Sequence, residues 1–175
     1  MVPKTTDVAE SVDERLIELT DLTIDNFAPF GQLIESIDDG VPFGPDDAQL
    51  VLGAGTPRFY IMRLPRKGLV VNQITRHRQV TQCLASVAGK EWCIALAPPG
   101  DPEDTDAEPT LANIRAFCIP GDVAIKLDVG TWHAGPFFED DEMSFFNLEL
   151  ADTNLVDHQS CYLDRHYGIR LKFDV

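Results

Sequence analysis

From residue 58 onward the chain alternates short β-like runs with turns rich in Gly, Pro or Asp, and this pattern limits the fold more than any other feature. The runs are RFYIMRL (58–64), LVVNQITRH (69–77), QVTQCLASVA (79–88), EWCIALA (91–97), IRAFCI (114–119), VAIKL (123–127) and EMSFFNLELA (142–151). Val, Ile, Phe, Tyr and Thr dominate them, as expected of strands. AGK, PPGDPEDTD and PGD punctuate the series. No window of helical length is amphipathic, and the spacing leaves no room for βαβ units. An antiparallel sandwich or barrel of roughly eight to twelve strands follows.

The upstream part fits the same picture. RLIELT (15–20) and QLIESI (32–37) read as strands, with Thr23 as the N-cap of a short helical turn that Gly31 ends. Residues 38–57 form a long Gly-, Pro- and Asp-rich segment, a length of loop that often carries function. Its GAG lacks the third glycine of a dinucleotide loop, because Arg58 stands there. The tail, NLVDHQSCYLDRHYGIRLKF, reads as a terminal strand or a dimer arm. Residues 1–14 read as a disordered acidic leader and 15–175 as a single all-β domain.

Composition excludes several partners. The chain of 175 residues suits one core. No apolar run approaches the roughly 20 residues that span a bilayer. The start has neither an apolar h-region nor a basic transit pattern, which points to a cytoplasmic protein. A formal net charge of −15 repels nucleic acid and anionic membrane surfaces. A small anionic substrate would need a local cluster of cationic groups against that field. None of the four cysteines, Cys83, Cys93, Cys118 and Cys161, forms a C-x-x-C pair. A zinc ribbon or redox motif is therefore not expected, and buried reduced thiols are.

Two of the four histidines share a pattern. His77 ends a strand in TRHRQVTQCLASVAG, and His133 lies in DVGTWHAG, between expected strands. Cupin barrels build their pocket from two such segments. In the first cupin motif His77 takes the second His position and Gln82, after four intervening residues, takes the Glu position. Gly89 follows in register. Asp128, Gly130 and His133 match the second motif, with Asp in place of Pro. Thr75 stands at the first His position, two residues from His77, so both can share a strand face. His158 and His166 lack such a context and read as surface or packing residues. Two imidazoles with a neutral amide make a poor divalent-metal set. No cofactor is firmly implied, and no metal ligand is assigned.

The stretches FAPFGQLIE, RHRQVTQCLASVAG, LANIRAFCIPGDVAIKLDVGTWHAGPFF and FFNLE resemble ureidoglycolate lyases, formerly called ureidoglycolate hydrolases. The combinations R-H-x-x-x-T-Q and W-H-x-x-x-F carry the likeness. It implies a cupin-like barrel (double-stranded β-helix), usually a homodimer. It also implies cleavage of ureidoglycolate to glyoxylate and urea, late in allantoin (purine) breakdown. By motif position the catalytic residues would be His77 and His133. Arg63, Gln82, Thr75, Glu149 and Trp132 would contact substrate. Arg63 would clamp the carboxylate, Gln82 would orient the urea amide and Trp132 would serve as pocket wall or core. Ala134 departs from the typical bacterial pattern, which has a second His there, and the 38–57 segment is longer than in compact members. Two alternatives stay open: a non-catalytic cupin that binds a small carboxylate or sugar acid, and a metal-dependent cupin isomerase or dioxygenase.

Overall fold

The computed structural model describes residues 12–175 and is built mostly from strands. In chain order these are β1 (Asp13–Glu18), β2 (Gly31–Ile34), β3 (Pro57–Pro65), β4 (Val70–Val71), β5 (Gln73–Arg76), β6 (Gln82–Ser86) and β7 (Trp92–Ala97). Then come β8 (Arg115–Ile119), β9 (Ala124–Leu127), β10 (Trp132–Phe137), β11 (Glu142–Leu150), β12 (Gln159–Tyr162) and β13 (Ile169–Asp174). Three α-helices of one turn each, α1 (Ile24–Phe27), α2 (Thr153–Val156) and α3 (Leu163–His166), and a 3-10 turn at Leu111–Asn113 complete the set. Thr23 caps α1, its hydroxyl accepting from the amide of Asn26 at 3.1 Å. The leader expected over residues 1–14 lies mostly outside the described residues. Its last two, Asp13 and Glu14, belong to β1.

Two five-stranded antiparallel sheets face each other. One runs β12-β5-β10-β7-β8 and the other β2-β9-β6-β11-β3. A third, smaller sheet, β1-β13-β4, covers the outer side of the first, with β1 parallel to β13. The fold is the all-β architecture expected from the run pattern.

Strand β7 explains why WCIALA is apolar at every position. Trp92, Ile94 and Leu96 pack with Phe117, Ile125, Leu127 and Phe145 between the two large sheets. Cys93, Ala95 and Ala97 pack on the other side with Ile169, Leu171 and Phe173 of β13. Strands with one face toward solvent alternate instead. Along β11, residues Met143, Phe145, Asn147 and Glu149 are buried, while Phe146 points outward.

Two elements depart from the sequence expectation. The GTWHAGPFF stretch is not a connection: Trp132–Phe137 is a central strand between β5 and β7, with its register interrupted between Ala134 and Phe137, around Gly135-Pro136. A bulge at that point lets a Gly-Pro pair sit inside a sheet. The 38–57 segment lies along β2 and not over the space between the sheets. Gln32 Nε2 donates to the carbonyls of Pro45 (3.2 Å) and Asp47 (3.0 Å), and Gln32 Oε1 accepts from the amide of Gln49 (2.9 Å).

Candidate active site

Part of the space between the two large sheets is an open cavity of about 510 Å³, within the range of small-molecule sites. The first sheet contributes Gln73, Thr75, His133 and Phe137 to its lining, and the second contributes Met62, Gln82, Leu84 and Asn147. Asn154 of α2 adds to it, and His77, His158 and Lys67 lie on connecting segments. No lining residue comes from 38–57.

The two histidines singled out by their spacing meet here. Thr75 of β5 pairs directly with His133 of β10, so both side chains face the second sheet. The amide of Gly130 donates to the His77 carbonyl at 2.7 Å and ties the two motif segments together. Gly130 has φ +84, a conformation that glycine adopts without strain. The ring centroids of His77 and His133 are 5.0 Å apart.

Both rings are held in the same tautomer. His77 Nδ1 lies 2.6 Å from the Asp157 carbonyl, and His133 Nδ1 lies 3.1 Å from the Thr131 carbonyl. A carbonyl only accepts, so each Nδ1 carries hydrogen and each Nε2 keeps its lone pair. Burial lowers the pKa of both. His133, deep in the cavity beside His77, is pushed down to about 3. His77 is lowered by burial, opposed by its hydrogen bond to the Asp157 carbonyl and by the charges of Asp157 and Glu149. Both imidazoles are therefore neutral proton acceptors at pH 7.

Behind Gln82 lies a buried polar network. Gln82 Nε2 donates to Asn147 Oδ1 (3.2 Å) and Glu149 Oε2 (3.1 Å). Glu149 Oε1 accepts from the Tyr60 hydroxyl (3.1 Å) and from Asn154 Nδ2 (3.3 Å). Two acceptors face Gln82 Nε2, which fixes the amide orientation and leaves Gln82 Oε1 buried without a partner. An unmade acceptor of this kind is costly unless a bound molecule supplies a donor.

Of the expected site residues, His77, His133, Thr75 and Gln82 line the cavity, and Glu149 stands directly behind Gln82. Arg63 does not line the cavity. Its register partner is Ser144, on the outer face of β11, and its guanidinium lies 3.6 Å from Glu142 with most of the side chain exposed. Alternation along β3 sends Tyr60, Met62 and Leu64 inward and Arg63 outward. Trp132 is also outside the cavity. It is buried in the core under the small sheet, with the Arg76 guanidinium 4.9 Å over its ring.

Other lining residues had no signal in the sequence pattern, among them His158 and Lys67. His158 was expected at the surface. It is exposed, yet its ring centroid is 5.9 Å from that of His77, at the cavity mouth. Its neighbour Asp157 explains this placement: the Asp157 carboxylate accepts from the amides of Arg78 (2.7 Å) and Gln79 (2.8 Å), pinning the tail to the end of β5. Lys67 sits in the turn after β3 and is the one Lys or Arg among the described residues lining the cavity. The donor set does not fit a cupin metal centre. Thr75 and Gln82 replace an imidazole and a carboxylate, and among the described residues no three His, Cys, Asp or Glu side chains are disposed to share an ion.

Comparison with known proteins settles the lineage. The ureidoglycolate lyase family model matches residues 49–170, which contain every lining residue named here. The chain belongs to the ureidoglycolate lyase family. A ureidoglycolate lyase of Azotobacter vinelandii is 24% identical over 165 residues, covering 82% of this chain and 92% of its own. One of Pseudomonas syringae pv. tomato is 30% identical over 139 residues, covering 68% and 74% respectively. Among solved structures, Bacillus subtilis oxalate decarboxylase superposes with a TM-score of 0.40 at 8% identity, over 63% of this chain and 25% of that one. That likeness is too low to bear on function.

Proposed function

We propose that the protein is a ureidoglycolate lyase, cleaving ureidoglycolate to glyoxylate and urea within allantoin breakdown. The observation that carries the reading, beside family membership, is the pair of neutral imidazoles with Nδ1 occupied and Nε2 free. The substrate is a carbinolamide. Its hydroxyl loses a proton, the carbon–nitrogen bond breaks, the oxygen becomes the aldehyde carbonyl, and the urea nitrogen takes the proton.

His77 is the proton carrier in this scheme. Its Nε2 accepts the hydroxyl proton, and the imidazolium so formed is stabilised by the Asp157 carbonyl and by the negative charges of Asp157 and Glu149. The same Nε2–H then protonates the departing nitrogen. His133 is the weaker base of the two, because removal from water and the neighbouring imidazole of His77 push it down to about 3. Its Nε2 accepts a hydrogen bond from a ureido N–H and holds the substrate in place. One proton thus moves through one ring, and no separate acid is needed. The unpartnered Gln82 Oε1 accepts from a ureido N–H, and Lys67 meets the substrate carboxylate at the mouth.

The protein is also proposed to work as a homodimer. On the outer face of the second sheet Phe59 stacks on Phe146 at 5.7 Å between centroids, beside exposed Ile61. Strand β3 pairs on one edge only, with β11. Such a face and edge suit a two-fold interface. Light scattering at micromolar concentration should give twice the chain mass, and a monomer mass would refute this part.

Incubation of the purified protein with ureidoglycolate, coupled to reduction of glyoxylate, tests the activity. Steady release of glyoxylate and urea in equal amounts is expected. Lys67→Met should raise KM several-fold and leave kcat nearly unchanged, as loss of uniform binding does. Absence of turnover by the unaltered protein would overturn the reading.

A further inference from the structure

The four cysteines are not equivalent. Cys83 and Cys161 stand apart, and burial pushes each thiol up to about 11. Cys93 of β7 and Cys118 of β8 are direct partners across an antiparallel pair, with their sulfurs 2.7 Å apart. The 24 intervening residues hid this pair from a search for C-x-x-C spacing. Facing residues in antiparallel strands have Cα separations of about 4.5 or 5.5 Å. Both values fall inside the window of about 4.4–6.8 Å that a disulfide spans.

We propose that Cys93 and Cys118 are an oxidisable dithiol, which closes to an intramolecular disulfide when the folded protein meets a small disulfide of the glutathione type. The two thiols differ in reach and in chemistry. Cys118 lies on the edge strand β8 and is partly exposed, whereas Cys93 is buried. Either thiol can donate to the other; with the buried Cys93 as donor, the bond favours the thiolate at the more exposed Cys118 and pushes the Cys93 thiol up. Cys118 is therefore the entry point.

The exchange balances in two steps. The Cys118 thiolate attacks one sulfur of the small disulfide, forming a mixed disulfide and expelling one small thiolate. Cys93 then loses its proton to solvent and attacks the Cys118 sulfur, and the second small thiolate leaves. Two protein thiols are oxidised, and one small disulfide is reduced to two thiols. The new bond would lie one strand behind the cavity wall, because Cys93 is the register partner of Phe137, which lines the cavity.

The test uses the full-length folded protein. It is incubated with oxidised glutathione, quenched with iodoacetamide, digested with trypsin and mapped by mass spectrometry. Cleavage after Lys90, Arg115 and Lys126 places the two cysteines on separate peptides. The expected product is those two peptides joined and two hydrogens lighter than their sum, with Cys83 and Cys161 alkylated. Cys93→Ser should halt at a stable glutathione adduct on Cys118, and Cys118→Ser should give neither adduct nor cross-link. Full alkylation of Cys93 and Cys118 in the unaltered protein would overturn the proposal. So would an adduct that stops at Cys118, or a yield of cross-links through Cys83 or Cys161 equal to that of the pair.

Discussion

Strand β11 changes character within four residues: Met143 and Phe145 face an aromatic interior, and Asn147 and Glu149 face the cavity end. Strand β6 does the same in the other direction, from Gln82 to Leu84. The same two sheets thus enclose two unlike volumes. At the closed end Phe27, Phe30 and Phe117 meet edge to face, with Trp92 against Phe145. At the open end the polar side chains bond to one another and leave Gln82 Oε1 and the two imidazoles unfulfilled. The closed end makes the fold stable. The open end gives up burial, and its unfulfilled groups are what a substrate can satisfy.

The sharpest way to separate the two ends is to remove an imidazole. His77→Ala should cut turnover by about 100- to 10,000-fold, the usual range for a general acid–base group. Loss through His133→Ala should be smaller, because that ring only positions the substrate. Neither change should move the thermal midpoint by more than a few degrees. Near-normal turnover in His77→Ala would erase the functional side of the comparison.

At the closed end the converse holds. Phe145→Ala should cost about 3–5 kcal/mol of unfolding free energy, measured by denaturant titration, while the variant that remains folded keeps its kcat. A loss of kcat without loss of stability would show that the two volumes are not independent.

Acid should act on the open end first. His133 titrates near 3 in the folded chain and at its ordinary 6.5 when unfolded. Between those values the unfolded chain binds more protons, so stability falls as pH drops from about 6.5 toward 3. His77, also lowered, adds in the same direction. Denaturation midpoints across this range should show the slope, and His133→Gln should reduce it. A midpoint independent of pH there would contradict the buried neutral rings.

The smallest effect is expected outside both volumes. Arg63→Ala, on the outer face of β3, should change stability by about 0.5 kcal/mol or less and leave KM unaltered. A clear rise in KM would return Arg63 to the substrate.

What the sequence made legible follows from alternation. Strands β3, β6, β8, β9 and β11 carry clean runs between turn residues, and the spacing from His77 to Gln82 and from Gly130 to His133 brings those side chains to one cavity. Strand β10 was hidden because a Gly-Pro pair normally ends a strand, and only the sheet on either side holds the bulge in place. Arg63 shows the limit of a motif position: a shift of one residue along β3 reverses the face. His158 and Lys67 lie in irregular segments, where no period links position to direction. Their placement depends on long-range bonds such as those of Asp157 to Arg78 and Gln79.

The parallel pairing of β1 with β13, in which Asp13 meets Ile169, bears on how the chain finds its fold. It joins segments about 150 residues apart, so little of the closure entropy is repaid until the intervening sheets exist. The small sheet is therefore expected to form late in folding. Until it docks, Ala95, Ala97 and Trp132 face water, and a nascent chain interrupted before β13 would present an apolar surface to chaperones or to its neighbours.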